Sequence, residues 1–225
     1  MPKTTKKQPP VCLAARTVGV LKPSFDPDLR GFKAPELTVY GTGFWIKNKA
    51  VFVTCAHVIQ PILGMPIELA GMLVVGGNGI GYKKATISTI DFTHDIAVLD
   101  VEADADHIAS ESSQGLEINE EEIEVSEDVA YAGFPLGNQL LNQKHSPSYA
   151  EGVIGQEILG TDGPKWVQIS GPVVGGYSGA PVVLKENNKV VGMVANSPSK
   201  EAGDASIFRA VHWKHLKSTS DLIES

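Results

Sequence analysis

Apolar runs along this chain are short and are broken at close intervals by Gly, Pro and Asn. The first apolar run, 11–22, reads as a strand. Val39 to Ile46 and Ala50 to Thr54 are both rich in β-formers, and Lys47-Asn48-Lys49 between them reads as a hairpin turn. Further strands are predicted at 67–75, 83–91, 96–101, 128–133, 149–158, 165–169, 181–184 and 189–195. Ala56 to Ile59 suits one short helical turn. The closing apolar and basic stretch, 210–223, is the best helix candidate, and residues 1–10 read as a disordered basic arm. About ten short strands with one helix at the end predict an all-β barrel or sandwich. Strands alternating with long helices, as in a parallel α/β sheet, are not visible, and there is no internal repeat.

Composition agrees with this reading. The chain has 225 residues, 42% hydrophobic and 20% charged, enough to bury a core without disulfides or metals. With 23 Gly and 14 Pro it favours many turns over long helices. The net charge of −7 is local in origin, since residues 101–128 hold 11 of the 26 acids and no Lys or Arg. The remaining 15 acids face 19 basic residues, so the rest is mildly basic. The acidic stretch reads as a solvated surface excursion. No basic stripe with interleaved aromatics points to nucleic acid. Two cysteines, Cys12 and Cys55, do not make a disulfide framework, and buried, reduced thiols are expected. The apolar run after the basic N-terminus is cut short by Arg16, too soon for a signal-peptide core. Two uncharged windows, 50–67 and 166–184, carry prolines, and the second also four glycines, so neither suits a spanning helix. A cytoplasmic protein without membrane partners is expected.

Three segments hold candidate chemistry. In Val53-Thr54-Cys55-Ala56-His57-Val58-Ile59 a histidine follows an apolar strand. In His94-Asp95-Ile96-Ala97-Val98-Leu99 an aspartate opens one, at the rim of a core where it must be hydrogen-bonded. In Gly175-Gly176-Tyr177-Ser178-Gly179-Ala180-Pro181 a serine sits in a glycine-rich turn, where backbone N–H groups can face a substrate oxyanion. Each has a plainer reading alone: a structural histidine, a strand-capping aspartate, an incidental turn serine. Together they supply what a serine nucleophile needs, a base and an acid that sets the base's tautomer.

These blocks, in the order His57, Asp95, Ser178, resemble the signatures of the chymotrypsin-like, or trypsin-like, serine proteases. Trp166-Val167-Gln168-Ile169-Ser170, Val190-Val191-Gly192-Met193-Val194 and Val129-Ala130-Tyr131-Ala132-Gly133-Phe134-Pro135-Leu136-Gly137 are similar to the HtrA/Deg type, here without a PDZ domain. The resemblance covers roughly residues 38–210. It implies an all-β fold of two packed six-stranded antiparallel β-barrels with a C-terminal helix. Residues 11–225 would form a single trypsin-like protease domain: first barrel 11–110, second 126–209, helix 210–223. It further implies a serine endopeptidase acting on a polypeptide substrate through a covalent acyl-enzyme. Ser178 would be the nucleophile, His57 the base and Asp95 its orienting acid, with an oxyanion hole from the N–H groups of Gly176 and Ser178. No cofactor and no metal are implied.

By register with the family, the pocket for the residue before the scissile bond (P1) has its base near Pro172 and walls from Val173, Val174, Ala195, Asn196 and Ser197. No acid is among them, so a small or medium apolar P1 residue is expected rather than Lys or Arg. Val194 to Ser197 would be the edge that pairs with substrate backbone. Two departures from the family pattern stand out. Tyr177 replaces an aspartate or asparagine, which removes support for activation by a newly cut N-terminus, and Ala180 replaces a second glycine. They keep a protease-like binding module as the alternative to an active enzyme. An α/β-hydrolase needs the order Ser…Asp…His and alternating helices; only His212 and His215 follow Ser178, Asp204 is the only aspartate between, and the surrounding strands lack helical spacers. His212 and His215 lack companion ligands for a metal site, and His94 is a weaker competitor for the role of base.

Overall fold

A computed structural model describes residues 8–26, 31–65, 71–139, 145–158, 164–196 and 207–223. Its strands form two closed antiparallel barrels of six strands each. The first holds β1 (Ala15–Asp26), β2 (Gly31–Trp45), β3 (Phe52–Thr54), β4 (Met72–Gly77), β5 (Ile80–Asp91) and β6 (Ile96–Val101), in the order β1-β2-β3-β6-β5-β4. The second holds β7 (Asp128–Gly133), β8 (Ser148–Ile158), β9 (Trp166–Ser170), β10 (Pro181–Leu184), β11 (Val190–Asn196) and β12 (Ile207–His212), in the order β10-β11-β12-β9-β8-β7. Among the described residues, closure pairs every strand on both sides, so neither barrel leaves a sheet edge open.

The turns follow their residues. Asn48, at φ 57°, turns the chain between β2 and β3, as the Lys-Asn-Lys triplet predicts. Asn78 (φ 56°) and Gly79 (φ 83°) both take positive φ between β4 and β5, the conformation favoured by tight hairpins. β3 and β10 are buried along their whole length. Phe44, Phe52, Ile96 and Leu99 fill the first core, and Tyr131, Ile154, Ile169 and Phe208 the second.

Three expectations need correction. Residues 11–14 are not strand: Pro10–Ala14 is a helical turn, α1, with Pro10 at a position where its missing N–H costs nothing. It packs against β7 and β10, which buries Val11 and Cys12. The strand β12 runs through His212, and the C-terminal helix α4 starts at Trp213 and ends at Ile223. Ala210, Val211 and His212 extend because β9 and β11 flank them. The acidic stretch is more than a solvated loop. Ala105–Ser113 forms a helix, α3, capped by the Asp104 carboxylate, which accepts from the His107 N–H at 2.7 Å. Beyond it, Leu116 bridges to Ile46 of the first barrel and Ile118 to Val190 of the second. Its acids pair with lysines of both sides: Lys47 with Glu117 at 2.7 Å, Lys214 with Glu122 at 2.9 Å, and Lys217 with Glu120. Of the basic arm, residues 1–7 lie outside the described residues. Both cysteines are buried and unpaired, as expected. Among the described residues, no helix is long and apolar enough to cross a membrane.

Candidate active site

His57 sits in α2 (Ala56–Ile59), the single turn that follows β3. Asp95 opens β6, which pairs with β3, so the two side chains arrive from neighbouring strands. The turn before Asp95 is held by Asp91, whose Oδ1 accepts from the N–H groups of Thr93 at 2.9 Å and His94 at 3.1 Å. Asp95 itself takes φ 55°, a left-handed conformation that aspartate tolerates better than most side chains. Its carboxylate grips His57 twice: Oδ1 accepts from the His57 backbone N–H at 3.0 Å, and Oδ2 lies 2.7 Å from Nδ1. With Nδ1 as the donor, the Nε2 lone pair is left for another proton.

Ser178 lies in the loop before β10. Gly176 (φ 98°) and Gly179 (φ 87°) flank it, and both need the missing side chain. A Cβ on Gly176 would stand 2.1 Å from the Phe134 carbonyl, and one on Gly179 would stand 1.9 Å from the Thr42 carbonyl. The loop is fixed by hydrogen bonds from Tyr177 N–H to Val174 O at 3.3 Å, Gly179 N–H to Val194 O at 2.7 Å and Ala180 N–H to Tyr177 O at 2.7 Å. The N–H groups of Gly176 and Ser178 have no such partner among the described residues. The Ser178 hydroxyl donates to the Ala195 carbonyl at 3.3 Å.

His57, Asp95 and Ser178 line one cleft of about 460 Å³. Val173, Val174, Val194 and Ala195 line it too. Pro172 is not among the lining residues. It is exposed, and its carbonyl accepts from the Tyr131 hydroxyl at 2.6 Å. The Asn196 backbone ends β11 opposite Arg209. Ser197 lies outside the described residues.

Both departures from the family pattern point inward. Tyr177 is buried, its ring edge-on to Tyr131 with centroids 5.6 Å apart, so it is a core residue of the second barrel. Ala180 is fully buried, and its methyl faces the space above Gly133, where a second Cβ would stand 3.2 Å away. The methyl therefore replaces core volume that Gly133 leaves open.

Sequence reasoning missed the parts played by five side chains. Phe92, 60% exposed, and Trp166 put aromatic surface into the cleft, and Gln60 adds an amide. Phe92 stands three residues before Asp95, which was the available signal. Thr42, fully buried in β2, donates its hydroxyl to Gly176 O at 2.8 Å and accepts from Phe134 N–H at 3.2 Å. Nothing local to Thr42 in the sequence announces this. Finally, Cys55 stands behind the His57–Asp95 pair, its thiol donating to Val194 O at 3.2 Å. Burial, then the charge and hydrogen bond of the adjacent Asp95 carboxylate, push that thiol well above its ordinary pKa.

A trypsin-like peptidase domain model matches residues 41–193. The uncharacterized protein y4bJ of Sinorhizobium fredii (strain NBRC 101917 / NGR234) is 32% identical over 157 residues, which are 69% of this chain and 22% of that protein. This chain therefore spans less than a quarter of the length of that relative. Among solved structures, the HtrA-type protease AlgW with decapeptide aligns with a TM-score of 0.72 at 16% identity, over 95% of this chain and 65% of its own. The Rv3671c protease from M. tuberculosis, active form, aligns with a TM-score of 0.62 at 21% identity, over 90% of this chain and 77% of its own. At these identities the solved structures bear on the fold alone. The paired barrels agree with them, the domain match spans most of both barrels, and the chain belongs to the trypsin-like peptidase family.

Proposed function

We propose that this chain is a serine endopeptidase in which Ser178 attacks the scissile carbonyl of a polypeptide. His57 takes the serine proton on Nε2 and returns it to the leaving amine. Asp95 holds the imidazole in the tautomer with Nδ1 protonated and stabilises the imidazolium that forms. The tetrahedral oxyanion is received by the N–H groups of Gly176 and Ser178, each such donor being worth about 3 kcal/mol of barrier. Water then hydrolyses the acyl-enzyme by the same proton route. The observation that carries this reading is the doubly bonded His57–Asp95 pair facing the same cleft as Ser178.

The cleft wall of Val173, Val174, Val194 and Ala195 supports a small or medium apolar P1 residue. We assign substrate backbone pairing to Ala195 and the residues that follow, since the Val194 N–H and carbonyl already bond Ala180 O and the Gly179 N–H. Among the described residues the ladder to β12 skips Ala195, which leaves its backbone groups without a strand partner there.

A second reading, a protease-like binding module, draws on the Ser178 hydroxyl, which donates to Ala195 O rather than to His57 among the described residues. A fluorophosphonate probe separates the two. Covalent capture at Ser178, abolished by Ser178→Ala and strongly slowed by His57→Ala, is expected of the enzyme. Folded protein that never labels is a binding module. Digestion of an unbiased peptide library then reads the P1 preference, and cleavage confined to Lys or Arg would overturn the apolar assignment.

A further inference from the structure

The reaction proposed above makes no use of the thiol behind its base. Cys55 is the residue immediately before α2, two positions ahead of His57, and is fully buried. Its sulfur, a ring nitrogen of His57 and a carboxylate oxygen of Asp95 all lie within 4.8 Å of one another. No other trio of His, Cys, Asp or Glu donors is gathered this closely among the described residues. We propose that Cys55, His57 and Asp95 form a binding site for a borderline-soft divalent cation, Zn²⁺ by preference, and that filling it switches off the catalytic base.

The donor set selects the ion. One thiolate, one imidazole and one carboxylate suit zinc with its fourth position left to water, whereas Mg²⁺ and Ca²⁺ ask for oxygen ligands. The thiolate and the carboxylate together neutralise the charge of the ion, which matters where burial penalises a net charge. Zinc–ligand bonds of about 2.0–2.3 Å put tetrahedral donors between about 3 and 4 Å apart, so this group needs to close by roughly 1 Å. Entry is from the cleft: the side chains of His57 and Asp95 are 41% and 19% exposed, and Cys55 is the inner anchor.

The proton balance explains the switch. The Cys55 S–H bond breaks, a sulfur–metal bond forms, and one proton leaves to solvent for each ion bound. Nδ1, the nitrogen that faces Asp95, gives its lone pair to the metal, and the imidazole proton moves through solvent to Nε2. A neutral imidazole protonated on Nε2 cannot accept the Ser178 proton. The inhibitory half of the proposal rests on the serine-peptidase reading above; the binding half does not.

Cobalt alone tests the binding half. Co²⁺ titrated into the metal-free full chain is expected to give a thiolate-to-cobalt charge-transfer band that saturates at one ion per chain and is displaced by Zn²⁺. The band is expected to vanish in Cys55→Ser and to persist in Cys12→Ser. A folded chain with no band, or a band that survives Cys55→Ser, overturns the site. His57→Ala truncates a partly exposed side chain and so spares the fold. It is expected to weaken Co²⁺ binding at least about tenfold, and unchanged affinity overturns the ligand set. Fluorophosphonate labelling of Ser178 is then followed against Zn²⁺. Labelling that falls in step with occupancy and returns on chelation supports the switch, and labelling indifferent to bound metal overturns it. A chain that binds Co²⁺ through Cys55 yet never labels supports the metal site and sinks the peptidase reading.

Discussion

The Thr42 hydroxyl, from the first barrel, donates to the carbonyl of Gly176, from the second, at 2.8 Å. The same oxygen accepts the Phe134 N–H at 3.2 Å, and the Thr42 carbonyl accepts from the Thr54 hydroxyl at 2.7 Å. One side chain thus ties β2 to the peptide unit that aims a proposed oxyanion donor. Thr42→Val leaves two buried polar groups unpaired, at about 1–3 kcal/mol each. Acylation of Ser178 is expected to slow markedly with little change in KM, and Thr42→Ser is expected to restore it. A Thr42→Val chain with unaltered kcat would show that the loop holds its shape without this bond.

Asp95→Asn keeps an acceptor for the His57 backbone N–H but presents an amide donor to Nδ1. The imidazole then carries its proton on Nε2, where it cannot act as base. Turnover is expected to fall by about 10⁴-fold while the melting temperature barely moves. Steady-state kinetics alongside calorimetry checks both halves.

Arg16 and Glu111 form an ion pair at 2.7 Å with side chains only 2% and 6% exposed. The guanidinium also donates to the carbonyls of Leu13 and Ala15, so the pair pins α1 and β1 to α3. Glu111→Ala strands a buried positive charge and is expected to destabilise the chain by about 3–5 kcal/mol. The double change Arg16→Met with Glu111→Leu is expected to recover most of that loss, because it removes the desolvation penalty with the attraction. Urea midpoints of the three variants decide the matter.

His94 stacks on His215 of α4 with ring centroids 4.1 Å apart, and Asp91 holds His94 from the other side at 2.5 Å. The His215 Nε2 accepts the Lys165 N–H at 2.8 Å. Burial, followed by the charges of His94, His212 and Lys165, pushes His215 down to about 4 from 6.5. In the unfolded chain His215 binds a proton near pH 6.5; in the folded chain it does so only near pH 4. Its contribution is therefore fully present above pH 6.5 and is lost as the pH falls toward about 4. At Asp91, burial pushes the carboxyl up, but its hydrogen bonds and the His94 charge outweigh this and hold it below its ordinary value. Its contribution is lost only at lower pH. Melting temperature is expected to drop between pH 7 and pH 4.5, and His215→Phe is expected to flatten that slope.

The strands that carry the site were legible because their signals are local. Thr54 to His57, Asp95 to Leu99 and Gly175 to Pro181 each combine a short apolar run with a polar residue at its end, and each stands at a strand terminus in the fold. The helix α3 was hidden although Asp104 is a good cap, because its acids read as a solvated run and Arg16, its buried partner, is 95 residues away.

Local residue order, then, was enough to predict most strands and turns, since alternation and turn propensity are written in contiguous residues, and the resemblance of three short blocks to a known family carried the family and the candidate triad. Tertiary structure alone decided that Thr42 braces the serine loop, that Tyr177 serves a core and that Cys55 stands behind the imidazole. Each of these depends on residues distant along the chain: Thr42 and Gly176, Tyr131 and Tyr177, Cys55 and Asp95. Such contacts come from how the two barrels close and pack, and no stretch of residues encodes that packing by itself.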